Sequence, residues 1–249
     1  LKTVDFTVEW YNRVASTNNI CAQRSEEGAA EGLVIAAMFQ EMGRGQRGNS
    51  WESDAGKNLT FSILLRPSHL RVEEQFYLSK AAAVSVCDWV SAYVQGGYVT
   101  IKWPNDVYIN DSKVAGILIE NSFSSPWLGT SVVGIGINLN QQTFSDDIPN
   151  PTSMGLVTGN GFDIKKSLDE FLGCFAQRYE MLFDERSRYL LDDYYLSKLY
   201  RRDSYHEYCD RNGKFTAKIA GVKPTGELVL QLHSGEQRVY AFKEVMFVV

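Results

Sequence analysis

"LVIAAMF" (residues 33–39) and "NLTFSILL" (58–65) flank the stretch "MGRGQRGNSW" (42–51). Short apolar runs rich in β-branched residues read as buried sheet strands. The chain must therefore turn between them, and it turns through three glycines and two arginines in ten residues. Such a loop supports neither a core strand nor a regular helix. Its glycines let backbone N–H groups turn together toward an anion, and Arg44 and Arg47 add charged forks. It lacks the Gly-Lys-Ser/Thr ending of a P-loop, and it is not G-x-G-x-x-G. Alone it reads as a solvated turn; its neighbours in the sequence point to a site.

Working outward, "DFTVEWY" (5–11) reads as a strand, and Ser16-Thr17-Asn18 as a helix start with capping hydroxyls and an amide. "KVAGILIE" (113–120) and "SVVGIGINL" (131–139) are further strands. Residues 73–94 carry apolar side chains at helical spacing, so Phe76, Leu78, Trp89 and Val90 are expected in the core. Two more helices are expected, over 164–183 and on to about Tyr200, with 141–163 as loop. From about Ser204 the pattern changes. "KFTAKIAGV", "ELVLQL", "QRVYAF" and "VMFVV" predict four short strands separated by Pro224-Thr225-Gly226 and Ser234-Gly235 turns. Residues 1–203 and 204–249 are therefore expected to be a main domain and a small β-appendage leaning on it.

With 249 residues, 44% of them hydrophobic and 22% charged, the chain can bury a substantial core. A formal charge of −5 argues against broad DNA binding, and no apolar run is long enough to span a bilayer. The four cysteines and three histidines are scattered, so reduced thiols in the cytoplasm are expected rather than disulfides or a zinc site.

"IKWPNDVYIN" (101–110) sets a lysine, a tryptophan, a proline and an acid at a strand edge. Trp103 reads as a core plug, whereas Lys102 and Asp106 are harder to explain as packing. Gly116 inside a strand marks a bulge or a close approach. Asn138 follows two strand glycines and can hydrogen-bond a ribose or a base edge.

The ordered set S-T-N (16–18), G-R-G-x-x-G-x-x-W (43–51), K-W-P-N-D (102–106), K-x-A-G-I-L-x-E (113–120) and G-I-G-I-N (134–138) resembles the biotin–protein ligase, or biotin–[acetyl-CoA-carboxylase] ligase, family. The resemblance implies an α+β fold, with a mixed, mostly antiparallel sheet backed by helices and a C-terminal SH3-like β-barrel. It implies ATP and Mg2+ as cofactors, biotin as substrate, biotinyl-5′-AMP as intermediate, and transfer to a lysine of a biotin carboxyl carrier domain by a monomer or homodimer. Ser16, Thr17, Asn18 and Gln40 would then serve the ureido ring, and Gly43, Arg44, Gly45 and Gln46 would wrap the biotin carboxylate and phosphate. Lys113 and Arg44 would be the catalytic cations, and Gly116 would leave room for the thiophene ring and tail. Arg44, Arg47, Trp51, Lys102 and Asn138 would face ATP, with Asp106 a magnesium ligand. Many bacterial relatives carry G-R-G-R-R-G, and here Gln46 replaces the second arginine. About fifteen residues precede Ser16, so the monofunctional type without a DNA-binding domain is expected. Two rivals are a lipoate–protein ligase or octanoyltransferase, and a non-catalytic biotin sensor.

Overall fold

A computed structural model describes residues 4–248, the side chain of Arg47 excepted. The strands β1 (Thr7–Tyr11), β2 (Leu33–Ala37), β3 (Leu59–Leu65), β4 (Val99–Lys102), β5 (Asp106–Ile109), β6 (Ser112–Ser124) and β7 (Trp127–Ile137) form one sheet in the order β1-β2-β3-β7-β6-β5-β4. β1 pairs with β2 in parallel, and every other neighbour is antiparallel. A mixed, mostly antiparallel sheet was the expectation.

The period of two splits the sheet into different faces. Leu59, Phe61, Ile63, Ala115, Ile117, Val133, Ile135 and Ile137 point into the main core. That face is covered by α2 (Phe76–Ser91) and α4 (Ile164–Glu180). Ala81, Ala82 and Ala83, all buried, let α2 lie close, and Phe61 meets Phe171 of α4 with ring centres 5.2 Å apart. As expected, Leu78, Trp89 and Val90 are buried, and Phe76 packs partly buried against them. On the other face α1 (Thr17–Glu26) shields a small cluster of Cys21, Leu33, Ile35, Leu64 and Val132. The rest of that face carries the site.

The segment 141–163, read as loop, contains a short helix α3 (Met154–Thr158), capped by Ser153 and ended by Gly159 at φ 72°. α5 (Glu185–Ser197) then leads to the appendage. It has five strands rather than four: β8 (His206–Asp210), β9 (Gly213–Val222), β10 (Leu228–Leu232), β11 (Gln237–Tyr240) and β12 (Val245–Phe247), in the order β11-β10-β9-β8-β12. Its core is continuous with the main one, because Tyr208, Ile219, Leu230 and Tyr240 belong to the same cluster. Trp103, 4% exposed, plugs the junction as expected and donates its indole N–H to the Gly226 carbonyl at 2.9 Å. Lys80 of α2 is wholly buried there, paired with Asp192 and 3.2 Å from the Val222 carbonyl. Among the described residues no helix is long and apolar enough to cross a membrane.

Candidate active site

The strand register lays three rows across the open face of the sheet. One runs Thr60, Gly136, Gly116, Asp106; the next Ser62, Gly134, Leu118; the third Leu64, Val132, Glu120. Three of the central positions are glycine, so the floor is bare backbone and other groups settle onto it. A Cβ on Gly136 would lie 2.3 Å from the Trp51 ring, and one on Gly134 2.1 Å from Asn18 Oδ1. One on Gly116 would lie 3.0 Å from Trp51 and 3.4 Å from the Lys113 Nζ. The close approach expected at Gly116 is present, and β5 and β6 also shift register beside it, between Val107 and Tyr108.

At the middle row sits a polar cluster. Gln40 Oε1 accepts from the Thr17 backbone N–H at 2.8 Å and from the Thr17 hydroxyl at 3.1 Å. Ser62 Oγ lies 2.7 Å from Thr17 Oγ1 and 2.6 Å from Asn18 Oδ1, and Asn18 Nδ2 donates to Glu120 Oε2 at 2.8 Å. Ser16, Thr17 and Asn18 are all buried. Ser16 occupies the N-cap position, but its side chain makes no capping bond; Gln40 satisfies the first helical N–H instead. The expected hydroxyl cap is thereby corrected.

The loop is more regular than its composition suggests. Gly43 and Trp51, Arg44 and Ser50, and Gly45 and Asn49 pair across a miniature hairpin, tipped by a 3-10 turn over Gln46–Gly48. The Gly45 N–H is therefore committed to the Asn49 carbonyl at 2.7 Å rather than turned to an anion. Gly43 is needed for proximity, since a Cβ there would meet the Trp51 carbonyl oxygen at 2.3 Å. Arg44 reaches over the sheet to Glu120, with Nη2 to Oε2 at 2.5 Å. The Arg47 side chain lies outside the described residues.

Lys113 Nζ is 2.7 Å from Asp106 Oδ1 and 5.8 Å from the centre of the Trp51 ring. Thus Asp106, expected to meet magnesium, is ion-paired with the expected catalytic lysine. Lys102 donates to the Tyr108 hydroxyl at 3.0 Å and lies between the Tyr108 and Phe247 rings. Burial lowers its pKa from the usual lysine value, with Asp106 opposing and Arg201 adding to the shift. Burial also pushes the Tyr108 hydroxyl up to about 12. Asn138 is buried; its Nδ2 donates to the Thr152 carbonyl at 2.9 Å, and its Oδ1, itself buried, has no partner among the described residues.

These groups line two adjoining hollows. One, of about 410 Å³, is bounded by Ser16, Thr17, Asn18, Gln40, Arg44 and Lys113, among others. The second, of about 540 Å³, holds Lys102, Asp106, Lys113 and Asn138. Trp51 lines both. Gly45, Gln46 and Gly116 border the first. Apart from Gly43, which borders neither hollow, and Arg47, whose side chain is not described, the expected residues line one or both of these hollows, but Arg44 and Lys113 do not converge: each cation is paired with its own carboxylate. Sequence reading missed Ser62, the pairing role of Glu120, and a wall formed by Phe242, Val245, Met246 and Phe247 of the appendage. Glu120 closes the K-x-A-G-I-L-x-E motif, and its even spacing from Gly116 was the available signal for its face.

The α+β fold thus sets the polar amide–hydroxyl cluster and the Arg44–Glu120 pair at one end of a glycine floor and the Lys113–Asp106 pair at the other. The chain belongs to the Biotin/lipoate A/B protein ligase family, whose model matches residues 10–138. It is 31% identical over 239 residues to the bifunctional ligase/repressor BirA of Bacillus spizizenii, covering 92% of this chain and 70% of that one. It is 34% identical over 166 residues to the biotin–[acetyl-CoA-carboxylase] ligase of Paracoccus denitrificans, covering 65% of this chain and 68% of that one. Among solved structures, the biotin protein ligase from Aquifex aeolicus in complex with biotin and ATP superposes with a TM-score of 0.78 at 27% identity, covering 97% of this chain and 99% of that one.

Proposed function

We infer that the protein is a biotin protein ligase: it joins biotin to ATP as biotinyl-5′-AMP, with release of pyrophosphate, and passes the biotinyl group to a lysine of a biotin carboxyl carrier domain. The observation that carries this reading is the glycine-floored cleft, with the Thr17–Asn18–Gln40–Ser62 cluster at one place and Lys113 beyond it. A ureido ring has two N–H donors and one carbonyl acceptor, and the cluster offers carbonyl, amide and hydroxyl partners for both kinds. The lipoyl ring has no such groups, so burying this cluster against it would leave polar atoms unpaired.

Adenylation brings a carboxylate against a phosphate, and the repulsion must be offset by positive charge placed beforehand. Lys113, with Trp51 against it and 28% side-chain exposure, is partly shielded from water, and its charge is correspondingly less screened. The carboxylate oxygen forms a bond to the α-phosphorus as the bond to pyrophosphate breaks, and Lys113 and Arg44 stabilise the charge that builds on the phosphoryl oxygens. Asn138 lines the second hollow, on the side where the nucleotide would lie. Trp51 and the loop shield the mixed anhydride from hydrolysis.

Among the described residues no group of three His, Cys, Asp or Glu side chains could hold a metal ion. Magnesium bound chiefly through ATP oxygens needs one or two carboxylates, and Asp106, with Asp147 and Glu52 further round the hollow, meets that requirement. When bound, the ion supplies charge neutralisation to the phosphates. The test is transfer of labelled biotin or labelled lipoate to a purified carrier domain. Biotin-only labelling of the carrier lysine supports the reading, and preferential lipoate transfer overturns it.

A further inference from the structure

We propose that Glu120 is a positioning residue that parks Arg44 away from the reacting end of the cleft until an anionic ligand draws it off. This rests on reading the cleft as an acid-activating site. Lys113 and Asp106 meet over the Gly116 row, whereas Glu120 stands two rows further along β6. Gly116 and Glu120 are four residues apart, roughly 13 Å along an extended strand. The guanidinium needed beside Lys113 is thus held at the far end of the floor, 2.5 Å from Glu120 Oε2.

The same Glu120 oxygen accepts from Asn18 Nδ2 at 2.8 Å. Asn18 belongs to the polar cluster, so the carboxylate links the place where the ring would be read to the arginine that would serve the reaction. With Arg44 on Glu120 and Lys113 on Asp106, both catalytic cations are neutralised internally. The Arg44–Glu120 pair is weakly shielded, with side chains 41% and 43% exposed. An exposed pair of this kind shifts an equilibrium about 1.5- to 5-fold, which a ligand carboxylate and phosphate together can outweigh. It also gives a hairpin tipped by glycine one preferred resting place, so the arginine leaves from a defined position rather than from many. A pair present only without ligand lowers apparent affinity by the same factor.

The experiment compares wild type, Glu120→Gln and Glu120→Ala, each with and without Arg44→Ala. Glutamine keeps an acceptor for Asn18 and removes the charge. The expected results for Glu120→Gln are faster backbone hydrogen exchange over 43–48 in ligand-free protein, and a KM for biotin lowered about 1.5- to 5-fold with kcat unmoved. In the Arg44→Ala background both effects should vanish. Glu120→Ala should loosen the loop equally while raising KM through the lost Asn18 contact. Unchanged loop exchange in Glu120→Gln, or a Glu120→Gln effect on KM that persists without Arg44, overturns the proposal. Loop exchange is read without ligand, so it decides the parking role whichever acid the cleft takes. A wild type that binds no biotin would instead overturn the functional reading alone.

Discussion

Replacing Gly134 by alanine adds one methyl group to the middle of the floor, and its consequence can be worked from distances. The backbone there is ordinary strand, so the substitution carries no conformational strain of its own. The new Cβ would lie 2.1 Å from Asn18 Oδ1 and 2.9 Å from its Cγ. Asn18 is 4% exposed and cannot swing into solvent at little cost. It must retreat, losing its contacts with Ser62 at 2.6 Å and Glu120 at 2.8 Å. The neutral bond contributes about 1 kcal/mol. The bond to Glu120, discounted because that carboxylate is 43% exposed, contributes about 1 kcal/mol more. Where the biotin ring requires Asn18 in the position these bonds hold it, the bound state must restore that geometry at a cost of about 2 kcal/mol, about thirty-fold in KM for biotin. Steady-state titration of biotin measures it, and Asn18→Ala gives an internal control. If the methyl acts through Asn18, Gly134→Ala should add almost nothing to Asn18→Ala. A KM within twofold of wild type, or full additivity of the two changes, would refute the reasoning.

Three further outcomes are expected. KM for ATP should rise with pH at values below those of an ordinary lysine, because burial lowers the Lys102 pKa and its charge is lost early; Lys102→Arg, which stays charged, should flatten that profile. Asp192→Ala should destabilise the fold by about 3 kcal/mol in urea unfolding, since it strands the buried Lys80 ammonium, whereas Lys80→Met should cost much less. Burial raises Cys21 and Cys87 from 9.0 to about 12, so above pH 9 the unfolded chain loses thiol protons that the native state keeps. Their contribution to stability should be intact below pH 9 and erode toward pH 12, with a shallower decline in Cys21→Ala and Cys87→Ala; a slope unchanged by both substitutions would contradict it.

Much of this molecule is legible in its sequence because its strands are strongly apolar and its loop is chemically unusual. The stretches 33–39 and 58–65 contain β2 (Leu33–Ala37) and β3 (Leu59–Leu65), and Trp103 plugs the core. β8 was missed because His206, Glu207 and Asp210 are polar, and the strand exists through pairing with β9 and β12 rather than through an apolar pattern. α3 was missed because five residues carry little periodicity, although Ser153 and Gly159 mark both of its ends. In the site, the types of residue were readable but their partners were not. Nothing local in the sequence says that Arg44 meets Glu120, seventy-six positions away, or that Lys113 meets Asp106 across a register shift. The wall from Phe242 to Phe247 likewise depends on where the appendage docks.

The claim that this cleft activates an acid as an adenylate is tested most directly by ATP–pyrophosphate exchange on the purified protein. Wild type should exchange label only when biotin is present, and Lys113→Ala should slow that exchange by about 10²–10³, the usual effect of removing one oriented charge stabiliser. Exchange that is independent of biotin, or a Lys113→Ala variant as fast as wild type, would contradict it.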